Sequence, residues 1–188
     1  MLDEPTKTAL LKLARDAVEA AVRGKRPPSP DPSLTILMEK RGAFVTLKKH
    51  GDLRGCIGYP EPVKLLSEAL LDSAASAALN DPRFPPVRPE ELPDLHLEVS
   101  VLTKPEPLAA EDVEVGKHGL IVQRGFSRGL LLPQVATEWG WDRETFLEHT
   151  CRKAGLPKDA WRKGAEILAF SAEVFGEEEG AGGSGESR

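Results

Sequence analysis

Leu10, Leu13, Ala14, Ala17, Val18, Ala21 and Val22 recur at three- and four-residue spacing, the stripe of an amphipathic helix over residues 3–22. Pro5 suits its first turn and Gly24 its end. Prolines fill residues 25–33, which read as an irregular loop, and the apolar run 34–38 is compatible with either helix or strand. Residues 42–49 then bring Ala43, Phe44, Val45, Thr46 and Leu47 in a run of strand length. With His50-Gly51-Asp52 as a turn, they predict a hairpin whose second strand is 53–59, stopped by Pro60 and Pro62. A helix is expected over 63–79, where Leu65, Leu66, Ala69, Leu70, Ser73, Ala74, Ala77 and Ala78 share a side. Asn80-Asp81-Pro82 ends it, and Arg83-Phe84-Pro85-Pro86 reads as an extended loop.

Leu95, Leu97, Val99 and Val101 alternate with His96, Glu98 and Ser100, the clearest period-two pattern in the chain. Beyond it come short strands at 119–123 and 130–132 about a glycine-rich loop, 124–129, and helices at 133–139 and 142–154, the second capped by Asp142 and closed by Gly155. A last strand is expected over 167–175. The acidic Gly/Ser-rich stretch 176–188 has no apolar residue larger than alanine and is expected to be disordered. Hairpins mixed with helices, without regular alternation, predict an α+β fold with a mixed, largely antiparallel sheet flanked by helices.

Composition narrows the class of molecule. At 188 residues the chain suits a single compact unit, or two small lobes, with 40% apolar and 29% charged residues. The net charge of −5 and the lack of a basic stripe argue against nucleic acid and anionic membrane as partners. With no apolar run of spanning length and no signal-peptide pattern, the expected location is the cytoplasm, with Cys56 and Cys151 as free thiols. Asparagine only at Asn80, glutamine only at Gln123 and Gln134, and abundant proline are a bias of proteins from hot habitats.

The candidate chemistry centres on Leu53-Arg54-Gly55-Cys56-Ile57-Gly58-Tyr59, where glycines near a thiol let a ligand or another backbone come close. A nucleophilic thiol needs a base or cation, for which Arg54, Arg83, His50 and His118 are available, with Glu98 as a carboxylate able to orient an imidazole. The plainer reading makes Cys56 a small packed hydrophobe, His118 a surface histidine and Glu98 a solvent-facing side chain. Arg54, Arg83, Arg124 and Arg128 offer guanidinium forks for an anionic substrate, although Arg83 can equally pair with Asp81. His96 and His149 read as structural. Among Cys56, His96, His118 and Cys151 no pair has metal-ligand spacing, so neither metal nor cofactor is expected, and no Cys-x-x-x-Cys-x-x-Cys cluster motif is present. Trp139 and Trp141, flanking Gly140, read as a buried anchor or, if exposed, as a partner surface.

Gly-Ala-Phe-Val-Thr-Leu from Gly42, Leu-Arg-Gly-Cys-Ile-Gly from Leu53, Asp-Pro-Arg-Phe-Pro-Pro from Asp81, Leu-Glu-Val-Ser-Val-Leu from Leu97 and Cys-Arg-Lys-Ala-Gly-Leu-Pro from Cys151 resemble the AMMECR domain family. The likeness runs from about Leu10 to Phe175. It implies one domain over 1–175, with a larger lobe from both chain ends and a smaller one from the middle, and a site near the Arg-Gly-Cys-Ile-Gly motif. It implies no particular reaction. Its association with Memo-type and radical-SAM proteins suggests a redox or modification pathway. Two expectations follow. One is an enzyme or enzyme-system component that binds a small molecule in a cleft, with Cys56, His118 and Glu98 catalytic and Arg54, Gly55, Gly58 and Arg83 holding the ligand. The other is a non-catalytic adaptor that docks a Memo-like or radical-SAM partner through the Trp139–Trp141 surface.

Overall fold

The computed structural model describes residues 1–177. It contains α1 (Glu4–Val22), β1 (Ala43–Lys49), β2 (Asp52–Tyr59), α2 (Leu66–Leu79), β3 (Leu95–Leu102), β4 (Glu106–Pro107), β5 (Gly119–Arg124), β6 (Ser127–Leu131), α3 (Pro133–Glu138), α4 (Arg143–Lys153), β7 (Glu166–Phe170) and β8 (Ala172–Gly176). Two compact units result, one from residues 1–101 with the C-terminal segment from Glu173 and one from residues 102–172. The antiparallel α+β pattern holds, with the strands divided between two four-stranded sheets, β2-β1-β3-β8 and β4-β7-β5-β6.

In the first unit the Asp3 side chain accepts the Thr6 N–H at 3.0 Å and caps α1, whose apolar stripe buries Leu10, Leu13, Ala14, Ala17 and Val18. These pack with Leu66, Ala69, Leu70, Ala74, Ala77 and Ala78 of α2 and with Ala43, Val45, Leu47, Leu97, Val99 and Val101 of the sheet. The β1–β2 hairpin turns on His50 and Gly51, at φ 52 and 85, the left-handed pair that matches strand twist. The helix expected from Val63 begins only at Leu66. The chain turns at Pro62 and Val63, then Lys40 and Leu65 form a β-bridge and the Leu66 N–H bonds the Glu39 carbonyl at 2.8 Å, so the helix starts later. The open run 34–38 contains a 3₁₀ turn, Thr35–Met38.

The second unit packs Leu120, Val122, Ala136, Phe146, Leu147, Cys151 and Ile167 around its own sheet. The loop expected over 124–129 shortens to Gly125 and Phe126, because Arg124 and Arg128 already belong to the β5–β6 ladder. The last strand, expected as one, is two: β7 pairs with β4 and β5, and β8 joins the other sheet. Between them Ser171 donates its N–H to Thr103 Oγ1 at 2.9 Å, and its carbonyl takes the Thr103 N–H at 2.8 Å. Of the stretch expected to be disordered, Gly176 ends β8, and the Glu177 carboxylate accepts from Arg15 Nε at 2.7 Å and the Leu97 N–H at 2.9 Å. The rest of that stretch lies outside the described residues. No helix among the described residues is long and apolar enough to cross a membrane.

Candidate functional site

Cys56 owes its orientation to an irregularity one turn of pleat away. From the turn, Lys49 pairs with Asp52 and Lys48 with Leu53, but Leu47 pairs with Gly55, which leaves Arg54 as an extra residue in a β-bulge. An unbroken ladder would set Cys56 opposite Val45, whose side chain enters the core. The bulge sets it opposite Thr46 instead, on the face turned away from α1 and α2. Thr46 is in turn opposite Glu98, so Cys56, Thr46 and Glu98 form one row across β2, β1 and β3. The Thr46 hydroxyl donates to Cys56 Sγ at 3.2 Å. Cys56 itself is half-buried.

The flanking glycines have packing reasons. A Cβ on Gly55 would lie 2.1 Å from the Ala77 carbonyl oxygen, so this residue lets α2 rest on the sheet. On Gly58 it would lie 2.3 Å from the Ala43 carbonyl oxygen and 2.4 Å from the Phe44 ring.

At the sheet edge the main chain of Cys56 is held by the loop after α2. The Asp81 carboxylate, only 4% exposed, accepts the Cys56 N–H at 2.9 Å, the Arg83 N–H at 3.0 Å, Arg83 Nε at 3.0 Å and Arg83 Nη2 at 2.7 Å. Arg83 Nη2 also donates to the Cys56 carbonyl at 3.3 Å. The Asp81–Arg83 pair thereby meets the N–H and carbonyl of Cys56 as a neighbouring strand would. Hydrogen bonds from the Arg83 side chain, then from the Cys56 and Arg83 N–H groups, hold the Asp81 carboxyl far below the usual carboxylate range despite its burial. The same pairing raises the Arg83 guanidinium, and the Cys56 sulfur adds to that shift. Arg83 remains about half exposed.

The other expected residues are engaged elsewhere. Arg54 meets Glu91 through Nε and Nη2, both at 3.1 Å, in a pair almost fully enclosed, and its Nη1 is buried with no hydrogen-bond partner among the described residues. Glu91 also takes Lys49 Nζ at 3.1 Å and the Arg88 N–H at 3.0 Å. The Arg54 side chain, then the Arg88 N–H and Lys49, lower its carboxyl to about 2 against the effect of burial. Glu98 receives Lys48 Nζ at 2.5 Å rather than an imidazole. His118 belongs to the second unit, where its Nδ1 accepts the Glu114 N–H at 3.1 Å. Cys151 is sealed in the second core, and burial pushes its thiol up. No group of three or more His, Cys, Asp or Glu side chains is placed to hold a metal among the described residues. A cavity of about 470 Å³ opens between α1 and α2, lined by Ala17, Ala21, Leu71, Ala75, Lys25 and Lys64 among others, and includes none of the expected site residues.

Thr46, which touches the thiol, and Lys48, which holds Glu98 in the same row, are residues that sequence reading missed. Counting residue pairs outward from the turn would have found them only with the bulge at Arg54 known.

Comparison with known proteins gives one consistent answer. The AMMECR1 family model matches residues 11–175. A protein of Methanothermobacter thermautotrophicus is 56% identical, covering 90% of this chain and 93% of that one. A protein of Methanosarcina acetivorans is 50% identical, covering 97% and 96%. The crystal structure of the uncharacterized protein PH0010 from Pyrococcus horikoshii is similar at a TM-score of 0.71 and 44% identity, over 94% of each chain.

Proposed function

This chain belongs to the AMMECR1 family, and we propose that it is a cytoplasmic component of an enzyme system that binds a small molecule beside Cys56, with the Cys56 thiol as its reactive group. The observation that carries this reading is the contact of the Thr46 hydroxyl with Cys56 Sγ at 3.2 Å, on the face that the bulge at Arg54 selects. A hydroxyl donating to sulfur fixes where the side chain points, and a thiol so presented can act as a nucleophile toward a ligand on that face. Arg83, pinned to the carbonyl of the same residue, adds positive charge beside it. The thiolate would add to an electrophilic carbon of the ligand, forming a C–S bond while the displaced electron pair moves to the attached heteroatom and takes up a proton from water. Glu98 serves this reading by holding Lys48 in the row next to Thr46. A reducing compartment suits both cysteines, which are free thiols.

Alkylation of the native protein by iodoacetamide, mapped by peptide mass, tests the reading. Cys56 is expected to react and Cys151 to stay protected until the protein unfolds. Equal rates at the two cysteines would remove Cys56 from any chemistry.

A second reading, the adaptor for a Memo-like or radical-SAM partner, draws on a different observation: Trp139 is 71% exposed. Under it Cys56→Ala leaves partner capture unchanged and substitution of Trp139 weakens it. Loss of capture in Cys56→Ala with capture intact in the Trp139 variant would reject it.

A further inference from the structure

Between α1 and α2 small side chains leave a hollow. Ala17 and Ala21 on α1, and Leu71 and Ala75 on α2, are pairs four residues apart, so each pair shares a helix face. They floor the cavity of about 470 Å³, a volume in the range of small-molecule pockets. Such a floor offers water no hydrogen bonds, so it suits an apolar body.

The rim is charged, and hydrogen bonds sort its groups. Lys64 donates to Tyr59 Oη at 3.0 Å and to the Asp72 carboxylate, with its ammonium 4.3 Å from the centre of the Tyr59 ring. Glu68 accepts the Leu65 N–H at 3.3 Å at the start of α2. Lys25 is the remaining charged group of the rim, and no hydrogen bond or ion pair engages its ammonium among the described residues. In the adjoining hollow that Lys25 also lines, Asp16 is paired with Lys12 at 2.5 Å, and Glu19 is outnumbered by Arg23 and Arg26. The charge left to be met beside the cavity is therefore positive.

The chain fixes Lys25 there without using its charge. Gly24 has φ 63, its N–H reaches the Ala21 carbonyl at 3.1 Å, and the Lys25 N–H reaches the Ala20 carbonyl at 2.8 Å, the two bonds of a Schellman helix end. These carbonyls need no cation. The residue after the left-handed glycine commonly packs an apolar side chain back on its helix, and here it carries an ammonium instead. Departures of this kind concentrate at functional sites.

We propose that this cavity binds a small amphipathic carboxylate, its apolar body on Ala17, Ala21, Leu71 and Ala75 and its carboxylate on Lys25. The site is independent of the Cys56 reading and uses none of the groups around that thiol.

The test titrates the intact chain, carrying methyl-labelled alanine, with decanoate and follows the Ala17, Ala21 and Ala75 signals by NMR. Saturable shifts centred on these methyls are expected with decanoate, and none with acetate, which has no body to bury. The neutral decanamide is expected to bind about twofold to fivefold more weakly, the worth of one exposed charge pair. Lys25→Gln should remove that difference by weakening decanoate alone, and Ala75→Leu, which fills the cavity, should weaken both ligands. Lys25 is exposed, so its variant keeps the fold, and unshifted amide signals across β1, β2 and β3 show the same for Ala75→Leu. Equal binding of decanoate and decanamide, native affinity for decanoate in Lys25→Gln, or no saturable shift in the native chain overturns the proposal. Shifts of the same methyls on raising the protein concentration alone would assign the face to a second copy of the chain, and also overturn it.

Discussion

Asp81 shows how much one buried carboxylate does for the candidate site. It takes four hydrogen bonds, and one of them fixes the backbone of the residue that carries the thiol. Because its folded-state ionisation lies below that of the unfolded chain, it stabilises the fold fully above the ordinary carboxylate range. That contribution fades as pH falls from about 4 toward its lowered folded value. Glu91 behaves alike, between the ordinary value of 4.5 and about 2. Asp81→Asn is expected to cost about 3 kcal/mol at neutral pH, since it leaves Arg83 and the edge N–H short of an acceptor. It should also flatten the acid limb of the stability–pH curve, as measured by urea titrations between pH 2 and 7. A variant with wild-type acid sensitivity would show that Asp81 is not an anchor. Asp-Pro in the sequence marked a helix end and the pairing with Arg83 was legible as one option. Its hold on Cys56 was not, because a contact from residue 81 to residue 56 depends on how α2 returns the chain to the sheet edge.

Among the elements, the hairpin carries the argument, and the bulge at Arg54 carries the hairpin. The strands, their turn and the Gly24-terminated α1 were legible because local spacing and turn chemistry determine them. The bulge was not, since it reflects tertiary demands: Arg54 reaches Glu91 in the loop before β3, and Gly55 must face the backbone of α2. The split of the last strand was equally hidden, because no proline or glycine marks Ser171. Deleting Arg54 is expected to close the bulge with Gly55 still opposite Leu47 and Cys56 still opposite Thr46, so the thiol keeps its face and its alkylation in the folded protein while the Arg54–Glu91 pair is lost. Gly55→Ala forces a Cβ into the Ala77 carbonyl and is expected to cost at least about 2 kcal/mol, read as a lower midpoint in thermal unfolding. An alanine variant as stable as the native chain would mean that α2 does not approach the sheet so closely.

At the scale of the whole molecule, the chain leaves the first unit after Val101 and returns to it at Glu173, so the first unit is completed only by the C-terminal segment. Glu177, which holds Arg15 and the Leu97 N–H, marks how far that completion extends. Truncation after Gly176 is expected to destabilise the first unit by about 1–3 kcal/mol relative to truncation after Glu177, judged by denaturant unfolding. Equal stability of the two would make Glu177 dispensable. The central claim, that the bulge aims the Cys56 sulfur at the helix-free face where the Thr46 hydroxyl holds it, meets its most direct test in the alkylation rate of Cys56 in the native protein. Faster reaction at Cys56 than at Cys151 is expected, with Thr46→Val changing the Cys56 rate by severalfold while Cys151 stays protected. A Cys56 that is unreactive in the folded chain, or whose rate ignores the loss of the Thr46 hydroxyl, would contradict it.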